Sequence, residues 1–212
     1  MPDPYLIPGT VVLQNKLGIS DFDELEQAVA DIGDAMAYRL FDKNTPVPAT
    51  LAGWRAVHKA MFGSVFEWAG NFRKVNIRKS GDDDSSDGFF APYGRLVADG
   101  QRAVRNLENT VRRIQTAKIS LIADNLADAY DQLNYLHPFR EGNGRSQKVF
   151  FSLACRPRGL QLNWSEIPSN EHSLAAQQAM RGDISLLRKH FQTIVAKAAS
   201  PSLQLRRRGS SD

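Results

Sequence analysis

The stretch NYLHPFREGNGRSQKVFF, residues 134 to 151, decides how the rest of this chain is read. It gathers His137, Pro138, Phe139, Glu141, Gly142, Asn143, Gly144 and Arg145 within a few positions, a density of reactive and conformationally special residues found nowhere else in the sequence. Pro138 has no N–H with which to continue a helix. The apolar spacing that arrives through Ile122, Leu126, Tyr130, Leu133 and Leu136 must therefore stop just before it. His137 is thereby set at a helix C-terminus and a loop entrance. Phe139 is the apolar member, expected to anchor the loop in the core. Gly142 and Gly144 flank Asn143 in a run that can take positive φ and turn its N–H groups outward.

From Arg145 the pattern is helical again, with Val149, Phe150 and Leu153 facing inward. A glycine-rich turn that opens a helix is an anion site, because free N–H groups and the helix dipole point at the same ligand. Arg145 and Lys148, three apart, share one side of that helix and can reach further phosphate oxygens. Glu141 is a carboxylate able to hold Mg²⁺ beside them, and His137 is an imidazole at the same place. The set amounts to phosphoryl-transfer equipment: electrostatic positioning plus one general base. It is not a P-loop, since GxxxxGK[ST] does not occur. It is a poor zinc site, because His137 and Glu141 straddle a proline and no second ligand pair accompanies them.

Around this centre the chain reads as helix nearly throughout, and the fold class expected is all-α. Phe22, Leu25, Val29, Ile32, Met36 and Leu40 recur at three and four, with Ser20 as the expected N-cap. Trp54, Val57, His58, Met61, Val65 and Phe66 predict a second helix ending near Gly70. Leu96, Val104, Leu107, Val111 and Ile114 predict a third, and further helices follow Arg145, one of them around Ile184 to Val195. One segment breaks the pattern. RKVNIRKSGDDDSSDGFFAP alternates at Val75 and Ile77, passes through a Gly/Asp/Ser tip and returns at Phe89 and Phe90, which reads as a β-hairpin. Its acids lack calcium-loop spacing.

The 212 residues suffice for one domain, expected over 1–200, with 201–212 a polar basic tail or linker. No run of eighteen apolar residues occurs, so no membrane partner is expected. The start MPDPYLIPGTVVLQ lacks the pattern of a secretory signal, which points to the cytoplasm. A single cysteine, Cys155, excludes an internal disulfide. Net charge is +4, but the basic residues are interspersed with acids except at Arg206–Arg208, which argues against direct nucleic-acid binding.

The motif HPFREGNGR resembles the signature of Fic-domain proteins, His-x-Phe-x-(Asp/Glu)-Gly-Asn-Gly-Arg-x-x-Arg. FGSVFEWAGNFRKVNI resembles the family's approach to its flap hairpin, and DPYLIPGTVVLQNKLGI the N-terminus of short bacterial Fic toxins; the likeness runs over roughly residues 4 to 198. The resemblance implies the Fic fold, a helical bundle with one β-hairpin flap. It implies transfer of AMP from ATP to a protein hydroxyl with Mg²⁺, releasing pyrophosphate. In that scheme His137 deprotonates the target hydroxyl and Glu141 holds Mg²⁺. Gly142, Asn143 and Gly144 form the anion hole, with Asn143 on the α-phosphate, and Arg145 grips the outer phosphates. Phe139 is the core anchor. Val75, Asn76, Ile77, Arg78 and Lys79 belong to the flap, which aligns the target segment by strand-like pairing.

Two departures stand out. The family's final Arg is Lys148 here, and an ammonium cannot make a guanidinium's bidentate fork. The tip SGDDDSSDG is longer and more acidic than a short flap turn. The family's inhibitory pattern, (Ser/Thr)-x-x-x-Glu-(Gly/Asn), has no match; Ser20 and Glu24 have the spacing, but Leu25 follows. The resemblance therefore implies a toxin restrained by a separate small antitoxin, with DNA gyrase and topoisomerase IV as the first targets. A host-directed effector modifying small GTPases and secreted into the host, an enzyme moving UMP or phosphate, and an attenuated nucleotide-binding protein stay open beside it.

Overall fold

The computed structural model describes residues 3–43, 46–78 and 90–197. Seven α-helices carry the described chain: α1 (Phe22–Asp42), α2 (Leu51–Phe62), α3 (Leu96–Arg113), α4 (Ile119–Leu136), α5 (Asn143–Cys155), α6 (Ser169–Met180) and α7 (Ser185–Ile194). Helix α1 starts one residue later than Ser20 predicted. Asp21 is the cap, in extended conformation, with its carboxylate accepting from Glu24 N–H at 2.9 Å. Thr50 caps α2 in the same way, accepting from Gly53 N–H at 3.1 Å.

The second helix stops at Gly63, well short of Gly70. Val65 and Phe66 are buried as the spacing required, but they sit in the turns that follow, their N–H groups donating to Phe62 O at 3.0 and 2.9 Å. Burial on an apolar face therefore did not require a continuous helix there.

Helix α5 runs through the middle of the bundle. Ten of its residues, from Asn143 to Cys155, are buried, and α1, α2 and α4 all pack on it. A helix apolar on nearly every side is an interior helix. Trp54, Phe62, Phe66, Phe139, Phe150, Phe151 and Phe191 fill the surrounding space and are essentially inaccessible to solvent. Trp54 stacks on Phe150 with centroids 5.9 Å apart and meets Phe139 edge-on at 5.5 Å. Cys155 is inside as well, its thiol pushed up to about 12 by burial.

Among the described residues the regular β-structure is a two-stranded pairing that the sequence did not lead one to expect. β1 (Leu160–Leu162) pairs antiparallel with β2 (Val195–Lys197), Leu162 opposite Val195, so the end of α7 is stitched back beside α5. The hairpin predicted around residues 75 to 91 falls largely at 79–89, outside the described residues. Of its first arm, Asn76 and Ile77 are irregular and Arg78 makes a single bridge. No described helix is long and apolar enough to cross a membrane.

Candidate active site

Helix α4 ends at Leu136, as Pro138 requires, and His137 follows as its C-cap with φ 41° and ψ 62°. It is the one described non-glycine residue at positive φ. Its N–H donates to Leu133 O at 3.2 Å, closing the helix. On the ring, Nδ1 faces Asn134 O at 3.3 Å. A carbonyl only accepts, so Nδ1 carries the proton and Nε2 is the basic nitrogen. Phe90 stacks on the imidazole, centroids 3.7 Å apart.

The loop from Pro138 to Gly142 is held at four points. Phe139 is fully buried, its ring stacked on His58 at 3.8 Å. Asn143 exchanges two hydrogen bonds with the main chain of Phe139, its Oδ1 accepting from Phe139 N–H and its Nδ2 donating to Phe139 O, both at 2.8 Å. Arg140 pairs with Asp3 at 2.9 Å, tying the N-terminal segment over the loop. His58, buried on α2, donates through Nε2 to Glu141 O at 2.8 Å while its Nδ1 accepts from Gly70 N–H at 3.0 Å. Both ring nitrogens are thus assigned, and burial pulls the imidazole down to about 4, so this strut is neutral.

Gly142 caps α5 at φ 79°, where a Cβ would stand 2.5 Å from the Phe62 ring. Gly144 differs: a Cβ there would meet nothing within 4 Å. Packing does not demand a glycine at 144. What its missing side chain leaves is open space against the first turn of α5, whose amides have no intrahelical carbonyl to bond. An anion can approach that turn closely.

Glu141 and Arg145 flank this opening. Arg145 Nη2 lies 2.9 Å from Glu141 Oε1, which also accepts from Gly142 N–H at 2.7 Å, and the guanidinium rests over the Phe62 ring at 5.3 Å. No cluster of three or more metal-ligating side chains occurs among the described residues. One carboxylate beside a phosphate cradle suits Mg²⁺ arriving with its nucleotide and does not suit a resident metal. Beside these two residues and Arg140 lies a cleft of about 460 Å³ walled by Val11, Leu13, Phe22 and Phe66.

The structure brings His137, Phe139, Glu141, Gly142, Asn143, Gly144 and Arg145 together. Two expectations change. Asn143 is 3% exposed and its side chain is spent on Phe139, so that side chain is not free to contact a phosphate. Lys148 turns away from Arg145: its ammonium lies 5.7 Å over Trp164 and within electrostatic reach of His172, and burial lowers its pKa. Val75 O and Asn76 Oδ1 are engaged by Arg73 and Tyr93 N–H. Lys79 lies outside the described residues. The spacing of apolar positions had placed His58 on a helix face and left Arg73 unread; both are buried polar side chains that shape the site.

The chain is similar to known proteins over most of its length. The probable protein adenylyltransferase Fic of Escherichia coli K12 is 30% identical over 196 residues, covering 92% of this chain and 94% of that one. The protein adenylyltransferase VbhT of Bartonella schoenbuchensis is 31% identical over 187 residues, 87% of this chain but 37% of its own length. The crystal structure of BepC from Bartonella tribocorum, with bound AMPPNP, has the same fold at a TM-score of 0.81, with 24% identity, over 92% of this chain and 97% of that one. The Fic/DOC family model matches residues 48–155, from the start of α2 through the loop to the end of α5, and the chain belongs to that family.

Proposed function

We propose that this chain transfers AMP from ATP to a hydroxyl side chain of a target protein. The observation that carries the reading is one juxtaposition. The imidazole of His137 and the open first turn of α5 at Gly144 stand at the two ends of one rigid loop. The turn receives the phosphates through main-chain N–H groups, and Arg145 adds a charged fork. His137 Nε2 takes the proton of the target hydroxyl, the hydroxyl oxygen forms a bond to the α-phosphorus, and the bond to pyrophosphate breaks. Glu141 is the residue that would hold Mg²⁺, which when bound offsets the charge gathering on the phosphates. To do so it must exchange its contact with Arg145, whose guanidinium is then available to the outer phosphates. The naming of relatives as protein adenylyltransferases supports the choice of AMP as the transferred group.

For the target we propose the ATPase subunits of DNA gyrase and topoisomerase IV, in the cytoplasm, where ATP is supplied. Restraint by a separate small antitoxin is part of the same proposal. The cleft beside Arg145 offers apolar walls at Val11, Leu13, Phe22 and Phe66 for side chains of such a partner, with Glu26 and the Arg145–Glu141 pair as its polar lining. A second reading, a host-directed effector acting on small GTPases, is favoured by structural neighbours that are VirB-translocated effector proteins of Bartonella. The test is incubation with α-labelled ATP, Mg²⁺ and either bacterial or host lysate. Labelled gyrase or topoisomerase subunits are expected; labelled GTPases alone would select the effector. Nucleotide binding with no label transferred to any protein would overturn the transferase reading. Expression of the chain alone should arrest growth, and co-expression of the small partner should relieve it.

A further inference from the structure

Arg73 is 2% exposed, and the acceptors it reaches among the described residues are all main-chain carbonyls. Nε donates to His137 O at 2.8 Å and Nη1 to Val75 O at 2.7 Å. Nη2 donates to Ala91 O and, at 3.3 Å, to Leu136 O. Its own N–H donates to Pro138 O at 2.8 Å. A buried guanidinium with no carboxylate paired to it among the described residues is costly, and burial lowers it to about 10. What compensates it is position: it closes the negative end of α4 and satisfies carbonyls that the helix leaves open.

Three separate segments meet at this one fork. Val75 and Ala91 are the two described ends of the segment predicted to form the flap, and Leu136–Pro138 carries the catalytic imidazole. We infer that Arg73 is a positioning residue of the transfer reaction, locking the left-handed backbone of His137 to both ends of the target-docking segment. The inference rests on the transferase reading. The planar fork sets His137 O, hence the direction of its Cα–Cβ bond and the approach of Nδ1 to Asn134 O. A lysine in its place keeps the charge but has a single nitrogen, which cannot span three segments. Phe90, adjacent to Ala91, stacks on the imidazole, so a shift at the Ala91 end of the docking segment reaches the base twice, through the Arg73 fork and through ring contact, and a shift at the Val75 end reaches it through the fork.

The experiment compares the wild type with Arg73→Lys, using ¹⁵N-edited NMR of the histidine rings together with AMP transfer kinetics. The wild type should show His137 as one tautomer protonated at Nδ1. Arg73→Lys should show mixed tautomers and a kcat lower by about tenfold or more, with KM for ATP within about twofold, because displacing a base by a fraction of an ångström costs rate and not nucleotide binding. A variant with wild-type kcat and a single tautomer overturns the inference. So does a loss of activity that only tracks the folded fraction while the ring spectrum of the folded protein is unchanged. If Arg73→Lys does not melt cooperatively, the wild-type spectrum decides: one Nδ1–H tautomer with a slowly exchanging Arg73 Nε–H supports the lock, and a mixture refutes it. Absence of label transfer by the wild type would strike the transferase reading instead, leaving the ring spectrum to report on Arg73.

Discussion

Phe90 lies flat on the imidazole of His137, with the ring planes 14° from parallel and the centroids 3.7 Å apart. The base is thus held by an aromatic face on one side and by the Asn134 carbonyl at its edge. His137→Ala should leave ATP binding intact and lower transfer on the order of a hundredfold or more, since only proton abstraction is lost. Phe90→Leu keeps the apolar volume but removes the stack, worth about 1 kcal/mol, so a several-fold loss of kcat with little change in melting is expected. Labelling kinetics with matched thermal melts check both; His137→Ala at wild-type rate would remove it as the base.

Asn143→Ala should act on the loop before it acts on any ligand. Phe139 N–H and C=O would both be left buried without partners, each costing about 1–3 kcal/mol. A lowered melting point together with weakened nucleotide binding is the expected result. Asn143→Asp is more informative: the introduced carboxylate cannot donate to Phe139 O until it takes up a proton. Its stability should recover as pH falls toward 5, opposite to the wild type.

The wild type should lose stability on acidification, and the buried histidines set the sign. His58 and His172 are depressed to about 4 and about 3, chiefly by burial, and His190 is lowered as well. The unfolded chain binds their protons first, so their contribution is complete above about pH 6.5 and is lost as pH falls through the folded values. His58 and His172 each contribute a slope of about 1.4 kcal/mol per pH unit between those limits. His58→Gln should flatten the fall between pH 6.5 and 4.5 relative to the wild type. An unchanged slope would mean that His58 is protonated in the folded protein.

Lys148 separates two readings of the family's last cation. With its ammonium over Trp164, Lys148→Met should reduce transfer by less than about threefold, whereas Arg145→Met should cost tenfold or more through loss of a charge-assisted fork. Equal losses would show that Lys148 swings to the phosphates when nucleotide binds.

What the sequence made legible follows from which forces leave a local signature. Helices α1, α3 and α4 came from apolar residues at three and four, because one face of each packs on the core over several turns. The stop at Pro138 and the turn at Gly142 came from backbone sterics, which act within a residue or two. The β1–β2 pairing escaped because three-residue strands are too short to show alternation and their partners are far apart in sequence. The roles of His58, Arg73 and the Asn143 side chain escaped for a different reason: each bonds to main-chain atoms, and a carbonyl has no residue type by which to announce itself.

The φ of 41° at His137 carries one last consequence. A left-handed conformation costs an L-residue about 1 kcal/mol or more, and glycine takes it freely. The backbone at this helix terminus therefore favours glycine over any residue that carries a Cβ. His137→Gly should melt at a higher temperature than His137→Ala. Among variants that lack the ring, a library at position 137 selected for thermal endurance would drift toward glycine, and the full library selected for labelling would return to histidine. The two screens rank one position in opposite orders.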